Sequence, residues 1–402
     1  MHHERIKDGE RLLTSHSLGK TVIETHNPSR HKLMIRAHKI RLNPTPEQAT
    51  YFAKAVGTRR FVFNWGLAEW KRQHENGEKP SALGLKKQFN GIKGTLFPWV
   101  YEVTKCAVEG AFVDLGAAFT NFFEGLKSSR KVGYPKFKAK KRSNESFYLA
   151  NDKFSVEGHS IRIPKLGLVN MTEALRFEGK IVSATVSLKA GWWFVSIRVE
   201  LPHRTPVRRE KRVGIDVGIK RLATLSDGTW FENQKPLRGL LAKLKRLNQA
   251  LARKQKGSAN REKAWLKVAR LHYRVACIRD DILHKLTTYV ACEYGFVGVE
   301  TLHVKGMVQN RALSQALSDA ALGRLLKLLQ SKVTAQGGVV QSVGRFFPSS
   351  KRCSACGQVK RELMLSEREY ACEGCGVTLD RDLNASLNIL HEALRLFESN
   401  PQ

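Results

Sequence analysis

The sequence has no apolar run long enough to span a membrane, and its start lacks the apolar core of a secretory signal. Those absences count against a membrane partner and favour the cytoplasm. Acidic residues are scarce: 36 Asp and Glu stand against 69 Lys and Arg, a formal net charge of +33 over 402 residues. The excess is spread along the chain and is too large for a merely basic soluble protein. It implies a polyanionic partner, nucleic acid before a membrane surface. Cysteine is sparse too. Of seven, four fall in one paired pattern, while Cys106, Cys277 and Cys292 lie in apolar or helical stretches and read as buried thiols. A reducing compartment follows. The length allows two or three domains with cores of their own.

Residues 1–33 are polar and without period. They read as disordered, or as an extension upstream of a functional start at Met34. Ile35, Ala37, Lys39 and Arg41 alternate with their neighbours as in a strand. Pro44-Thr45-Pro46-Glu47-Gln48 then opens a helix: Thr45 is the cap, Pro46 the first helical residue, and Gln48 completes a capping box. Helices are expected to about residue 126, broken at Asn76-Gly77, Lys79-Pro80 and Phe97-Pro98. Phe52, Val56, Phe61, Phe63, Trp65, Leu67 and Trp70 recur at helical spacing, as do Val108, Phe112, Leu115, Phe119, Phe122 and Phe123. Bases could stack on such aromatics, but the spacing is that of a buried face.

Lys127 to Arg142 holds eight Lys or Arg and no acid. Lys131, Lys136, Lys138, Lys140 and Lys141 are interleaved with Tyr134 and Phe137 and broken by Gly133 and Pro135. Such a run suits a loop along a phosphate backbone, or equally a solvated linker. Strands follow: one over Ile161 to Gly167, one carrying Val182, Ala184, Val186 and Leu188, a turn at Lys189-Ala190-Gly191, and one carrying Trp193, Val195, Ile197 and Val199. Pro202 to Arg212 is a basic linker and a domain boundary.

Beyond it, Arg212 to Gly218 is a buried strand with one acid, Asp216, in its apolar run. An acid there is costly unless paired or liganded. Leu222 to Leu225 is the next strand, and Ser226-Asp227-Gly228 a hairpin turn. Residues 237–255 and 261–290 form two long helices joined by Lys256-Gly257-Ser258. From 235 to 285 there are fifteen Lys or Arg and three acids. Phe296 to Glu300 is another buried strand, ending on a carboxylate. A helix over 313–335 and a strand over 339–344 precede the cysteines.

Cys353-x-x-Cys356 and Cys372-x-x-Cys375 are separated by fifteen residues, and Gly357 and Gly376 follow each pair. This spacing fits one tetrahedral structural zinc ion better than two disulfides or unrelated thiols. Four thiolates close the coordination shell, so that metal would hold structure. Asp380-Arg381-Asp382 then begins an apolar helical run, Leu383, Leu387, Leu390 and Leu394. A first-turn carboxylate is also an ordinary cap. The order strand, hairpin strand, helices, strand, helix, strand and helix is that of an RNase H-like α/β layer fold. There Asp216, Glu300 and Asp382 can converge at one sheet edge and hold two Mg²⁺ ions.

These motifs resemble the TnpB family, RNA-guided nucleases of bacterial and archaeal insertion sequences related to type V CRISPR effectors. The resemblance rests on Gly214-Ile215-Asp216-Val217-Gly218-Ile219-Lys220, His284-Lys285-Leu286-Thr287, Val299-Glu300-Thr301-Leu302, Phe347-Pro348-Ser349-Ser350, the four cysteines and Asp380-Arg381-Asp382-Leu383-Asn384-Ala385. Arg41-Leu42-Asn43-Pro44-Thr45, Arg60-Phe61-Val62-Phe63-Asn64 and Val132 to Phe137 add to it. It covers about Met34 to Glu392.

The resemblance implies an α/β multidomain chain. A wedge β-barrel domain would comprise a first strand over 34–44 and residues 129–205, with a helical recognition lobe inserted over 45–128. A RuvC-like nuclease would follow over 211–349, then a zinc ribbon over 350–379, then the last nuclease helix over 380–402. It implies Asp216, Glu300 and Asp382 as catalytic acids, a guide RNA from the element's own end, and a double-stranded DNA target in a bacterial or archaeal, nucleoid-associated setting. His284 and Lys285 join the loop residues as nucleic-acid contacts. In the family a Gly-Trp pair usually stands where this chain has Ala321-Leu322. Two other readings are a nuclease-inactive RNA-guided DNA-binding regulator and a DNA-joining transposase. The full acid set argues against the first, and the lack of a tyrosine-nucleophile motif against the second.

Overall fold

The computed structural model of the chain describes residues 33–399 except 129, 131, 141–142, 203–206, 208 and 365. The expectations for residues 1–32, and for Lys131 and Lys141, lie outside the described residues. Strand β1 (Leu33–Asn43) leads into helix α1 (Pro46–Glu75). The Thr45 hydroxyl accepts the Gln48 N–H at 3.3 Å and the Gln48 side chain accepts the Thr45 N–H at 3.0 Å, the full capping box. In β1 the core-facing set is His38, Ile40 and Leu42, while Ile35, Ala37, Lys39 and Arg41 face out. Helix α2 (Ala82–Leu96), a short 3₁₀ turn (Pro98–Glu102) and α3 (Lys105–Lys127) complete a helical unit. Its core holds Phe63, Trp70, Phe89, Phe112 and Phe119, so most of the aromatics are committed to packing; Phe123 stays exposed.

The chain then returns through β2 (Ser146–Ala150), β3 (Ser155–Glu157), β4 (Ser160–Ile163), β5 (Gly167–Met171), β6 (Lys180–Lys189) and β7 (Trp192–Pro202). With β1 these make a seven-stranded antiparallel sheet in the order β2-β6-β7-β1-β5-β4-β3. The one strand expected over Ile161–Gly167 is in fact divided: residues 161–163 end β4, Gly167 opens β5, and residues 164–166 turn between them. Lys165 there takes a left-handed φ of 65°, which a continuous strand cannot accommodate. Ile40, Leu42, Phe147, Ile161, Ile163, Val169, Val186 and Val195 share one core, so both wings of the sheet enclose the same interior.

The second half begins with β8 (Arg212–Asp216), β9 (Arg221–Leu225) and β10 (Trp230–Glu232). Helices α4 (Pro236–Ala252) and α5 (Ala259–Glu293) follow, then β11 (Phe296–Glu300). After them come α6 (Val304–Met307), α7 (Arg311–Ala320), α8 (Leu322–Ala335) and β12 (Val339–Val343). The five-stranded sheet runs β10-β9-β8-β11-β12, with β8, β11 and β12 parallel. The single helix expected over 313–335 is split at Ala321, whose φ of 51° ends α7 and starts α8. This is the position where the sequence departs from the family's glycine. Between the cysteine pairs lies the first strand of a small ribbon, β13 (Glu369–Ala371). It pairs with β14 (Thr378–Asp380), and α9 (Arg381–Ser399) closes the chain.

Two long-range joints fix helices α4, α5 and α7, the first of them across the two halves. Helix α5 lies against the seven-stranded sheet: Tyr273 packs 5.6 Å from Phe194, and the guanidiniums of Arg41 and Arg270 lie 4.7 and 4.8 Å from the Trp192 ring. Asp319, 4% exposed on α7, accepts the N–H groups of Leu237 and Arg238 at the start of α4 and pairs with Arg279 of α5 at 2.9 Å. It supplies the cap that Lys235 lacks. Cys106 is buried as read, but Cys277 and Cys292 are exposed on α5. Both lie off the stripe of Val268, Leu271, Val275, Leu283 and Leu286 that α5 buries.

Candidate active site

Gly214 and Gly298 are register partners on β8 and β11. A Cβ on Gly214 would sit 2.1 Å from the Ser386 carbonyl oxygen and 2.6 Å from the Leu390 nitrogen. One on Gly298 would sit 2.8 Å from the Ala393 Cβ. Two bare strand positions thus let α9 lie on the sheet almost backbone to backbone. Strand residues two apart share a face, so Asp216 and Glu300 project on the side that α9 covers. Strand β14 runs into α9 with no loop between, which brings Asp382 to that place in the helix's first turn.

The structure divides Asp380-Arg381-Asp382 by task. Asp380 accepts the N–H groups of Asp382 and Leu383 at 3.0 and 3.1 Å and pairs with Arg221 at 3.0 Å. It is the cap. Arg381 donates to the Met364 carbonyl at 2.8 Å, tying the ribbon down. Asp382 is left half-buried beside the other acids.

Burial pushes the Asp216 carboxyl up to about 8, with repulsion from Glu300 and Asp382 adding to it; Arg381 offsets only part. The three acids are therefore electrostatic neighbours with a surplus of negative charge around the Asp216 carboxyl. Among the described residues they are not drawn into a group as tight as the four thiols. A hard divalent cation fits such a site: it would neutralise the surplus and accept carboxylate oxygens while keeping its own waters.

Glu300 is oriented by a residue of the Phe347-Pro348-Ser349-Ser350 motif to which the sequence assigned no role. Ser349 donates its hydroxyl to the Glu300 carboxylate. The Ser349 carbonyl in turn accepts from Asn388 at 2.9 Å, and Arg352 O accepts from Asn388 at 2.6 Å and Asn384 at 2.7 Å. Asn384 also accepts the Ser354 N–H at 2.9 Å. Both asparagines are buried on the inner face of α9. Their signal in the sequence is two amides, four apart, on the face of a helix that otherwise buries small and apolar residues.

The four cysteine sulfurs lie within 4.8 Å of one another, with Cys353 and Cys375 at 3.7 Å and Cys356 and Cys372 at 3.5 Å. A tetrahedron with Zn–S bonds of ~2.3 Å has edges of about 3.8 Å. The two turns are copies. Gly357 donates to Cys353 O and Gly376 to Cys372 O, each at 3.0 Å, with φ of 80° and 73°. The Cys375 backbone N–H lowers the Cys372 thiol, while hydrogen bonds to Cys372 hold the Cys356 and Cys375 thiols up, so without a metal the four share their charge unevenly. These four thiols could hold a zinc ion. Tyr370, fully buried, packs beneath Cys353 and Cys372.

The expected nucleic-acid contacts stand apart from the acids in the chain. Tyr134 packs edge-on to Phe119 and Phe122, both at 5.5 Å, and keeps 44% of its surface exposed. Lys136 and Lys140 are exposed. Lys138 is engaged within the protein: its ammonium meets Asp114 at 2.8 Å and lies 3.8 Å from the Phe63 ring, while Asn64 brackets its main chain. His284 and Lys285 are exposed on α5, and Lys285 pairs with Asp281 at 2.7 Å.

Residues 196–311 match the family described as "Probable transposase", and residues 323–389 match "Cas12f1-like, TNB domain". The chain is 34% identical over 367 residues to a Streptomyces pristinaespiralis protein named "Putative RNA-guided DNA endonuclease", covering 89% of each. It is 32% identical to the Escherichia coli K12 protein of that name, InsQ, covering 89% of this chain and 92% of the relative. The chain belongs to the TnpB family. Residues 34–79 match the family's "Helix-turn-helix domain", yet here they form one strand and one unbroken helix. The fold is similar to that of the protein in a cryo-EM structure of a Cas12f1–sgRNA–target DNA complex. That likeness has a TM-score of 0.53 at 14% identity and covers 89% of this chain and 83% of the other. No described helix is long and apolar enough to cross a membrane.

Proposed function

We propose that this chain is an RNA-guided DNA endonuclease encoded by a transposable element, acting in the bacterial or archaeal cytoplasm. The observation that carries the reading is the meeting of Asp216, Glu300 and Asp382 on one face of a five-stranded mixed sheet. There burial, with repulsion from Glu300 and Asp382 added, lifts the Asp216 carboxyl to about 8. Family membership and the charge of +33 support it. In this reading the second half is a RuvC-type nuclease, the seven-stranded sheet is the wedge barrel, and α1 to α3 are the recognition lobe. Asp216, Glu300 and Asp382 would hold two Mg²⁺ ions, which when bound supply an activated water and neutralise charge at the leaving oxygen. Ser349 keeps Glu300 aimed, Asp380 caps the helix that presents Asp382, and α9 shields the Asp216 face from water. One zinc ion in the thiol set would fix the ribbon that feeds α9.

A guide RNA from the element's end would supply sequence by pairing, while this basic protein holds shape and backbone. Exposed Lys136 and Lys140, with the basic face of α4 and α5, are the surfaces for those phosphates. The test is the chain with its copurifying RNA and a matching double-stranded target in Mg²⁺. The wild type should cut; Asp216→Ala, Glu300→Ala and Asp382→Ala should bind the target without cutting. Full cutting by any one of them would remove that residue from the catalytic set.

A further inference from the structure

We infer that Trp230, backed by Arg221, is a stacking platform for a base of the DNA strand that enters the acid site; this rests on the nuclease reading above. Trp230 is the register partner of Thr224, and Thr224 that of Asp216. Directly opposed residues on antiparallel strands point to one face. Trp230, Thr224 and Asp216 therefore stand in one row across β10, β9 and β8, on the side that α9 covers. Two strand spacings, about 10 Å, separate the backbones of Trp230 and Asp216. The next residue confirms the alternation: Phe231 turns to the opposite face and packs 5.6 Å from Tyr289 of α5.

The indole is 53% exposed at the end of that row. The Arg221 guanidinium lies 5.3 Å from its ring centroid and is itself held by Asp380 at 3.0 Å. Exposed aromatics scattered singly are ordinary. Trp230 differs in standing in the row of an acid-site residue and in being fixed by an arginine that also holds the cap of α9. Stacking suits the task because every base has a π-face. A nuclease directed by pairing must accept whatever strand its guide selects, so a sequence-blind contact beside the acids orients the backbone without restricting the target.

The test uses the full chain loaded with its copurifying RNA. Target affinity is measured with Ca²⁺ in place of Mg²⁺, and cutting in Mg²⁺. Trp230→Ala should keep target affinity within about two-fold, since pairing carries it. It should slow cutting by roughly 5- to 150-fold, the worth of one stacked base. Trp230→Phe should recover most of the rate. An abasic nucleotide walked along the cut strand should slow the wild type at one or two positions and slow Trp230→Ala no further there. Equal cutting by wild type and Trp230→Ala overturns the inference. So do losses that multiply independently at every abasic position. Failure of the nuclease reading looks different: no Mg²⁺-dependent cutting by the wild type, and no difference from Asp216→Asn. A 2-aminopurine walked through the same positions then decides. Quenching by wild type and Trp230→Phe, but not by Trp230→Ala, upholds the stack; equal signals from all three overturn it.

Discussion

The Ser349 hydroxyl donates to the Glu300 carboxylate across 49 residues of sequence. Ser349 is in turn anchored by Asn388, one turn beyond the Asn384 that holds the first cysteine turn. The acid, the last helix and the ribbon thus share one polar network. Ser349→Ala should slow cutting by about 10- to 100-fold, the usual cost of losing a partner behind a metal ligand, with target binding unchanged. Asn388→Ala leaves the Ser349 carbonyl unpaired, while the Arg352 carbonyl keeps Asn384, and should cost about 1–3 kcal/mol of stability. Cleavage rates and urea melts check the two separately. An unaltered rate in Ser349→Ala would show that Glu300 needs no such support.

Asp216 places an energetic burden on the metal-free fold. Its carboxyl is raised from 3.8 to about 8. Between those values the folded chain binds more protons than the unfolded one, so metal-free stability falls as pH climbs through that window. Asp216→Asn removes the burden. In chelator it should gain about 1–2 kcal/mol and lose that pH slope, as relief of a strained functional site does. Mg²⁺ should raise the melting temperature of the wild type and leave the variant unmoved. Cutting should be abolished.

Ala321 takes a φ of 51° between α7 and α8. An L side chain there is strained by about 1–2 kcal/mol, partly offset by the extra backbone entropy glycine loses on folding. Ala321→Gly should therefore stabilise by about 0.5–1 kcal/mol with cutting retained. A denaturation midpoint that falls on this substitution would show that the strain is relieved in some other way.

Removing zinc should act through position. Freshly purified protein should carry about one Zn²⁺ per chain, as a four-thiolate site does. Cys353→Ser should loosen β14 and the start of α9, so that cutting falls while RNA binding holds. Amide exchange should speed up in residues 370–384 and stay slow in the seven-stranded sheet. Metal-free protein with full activity would rule this out.

The loop lysines should separate into two classes. Lys136→Ala with Lys140→Ala should flatten the slope of log affinity for RNA against log salt by roughly 1.4–1.8, two phosphate contacts' worth. Lys138→Ala should instead cost about 1 kcal/mol of stability, through its lost bond to Asp114. A filter-binding titration at several salt concentrations, paired with thermal melts, distinguishes them.

What the sequence determined by itself was local or compositional. The capping box at Thr45 and Gln48 needs only residues three apart. The paired cysteines carry their own turns, since each is closed by a glycine one residue on. Asp216 and Glu300 stood out because an acid in an apolar strand is costly and so carries a reason. The charge of +33 required no fold at all.

Tertiary structure alone decided the rest, because each remaining choice depends on residues far apart in the chain. Asp380 and Asp382 are chemically alike, and only the docking of α9 makes one a cap and the other a member of the acid set. That docking rests on Gly214 and Gly298, two strand glycines whose joint role exists only once the sheet registers them side by side. Lys138 looked like its loop neighbours until Asp114, 24 residues earlier, took its charge. Trp230 belongs to the acid row through a pairing across three strands, a relationship that exists only once the sheet has formed.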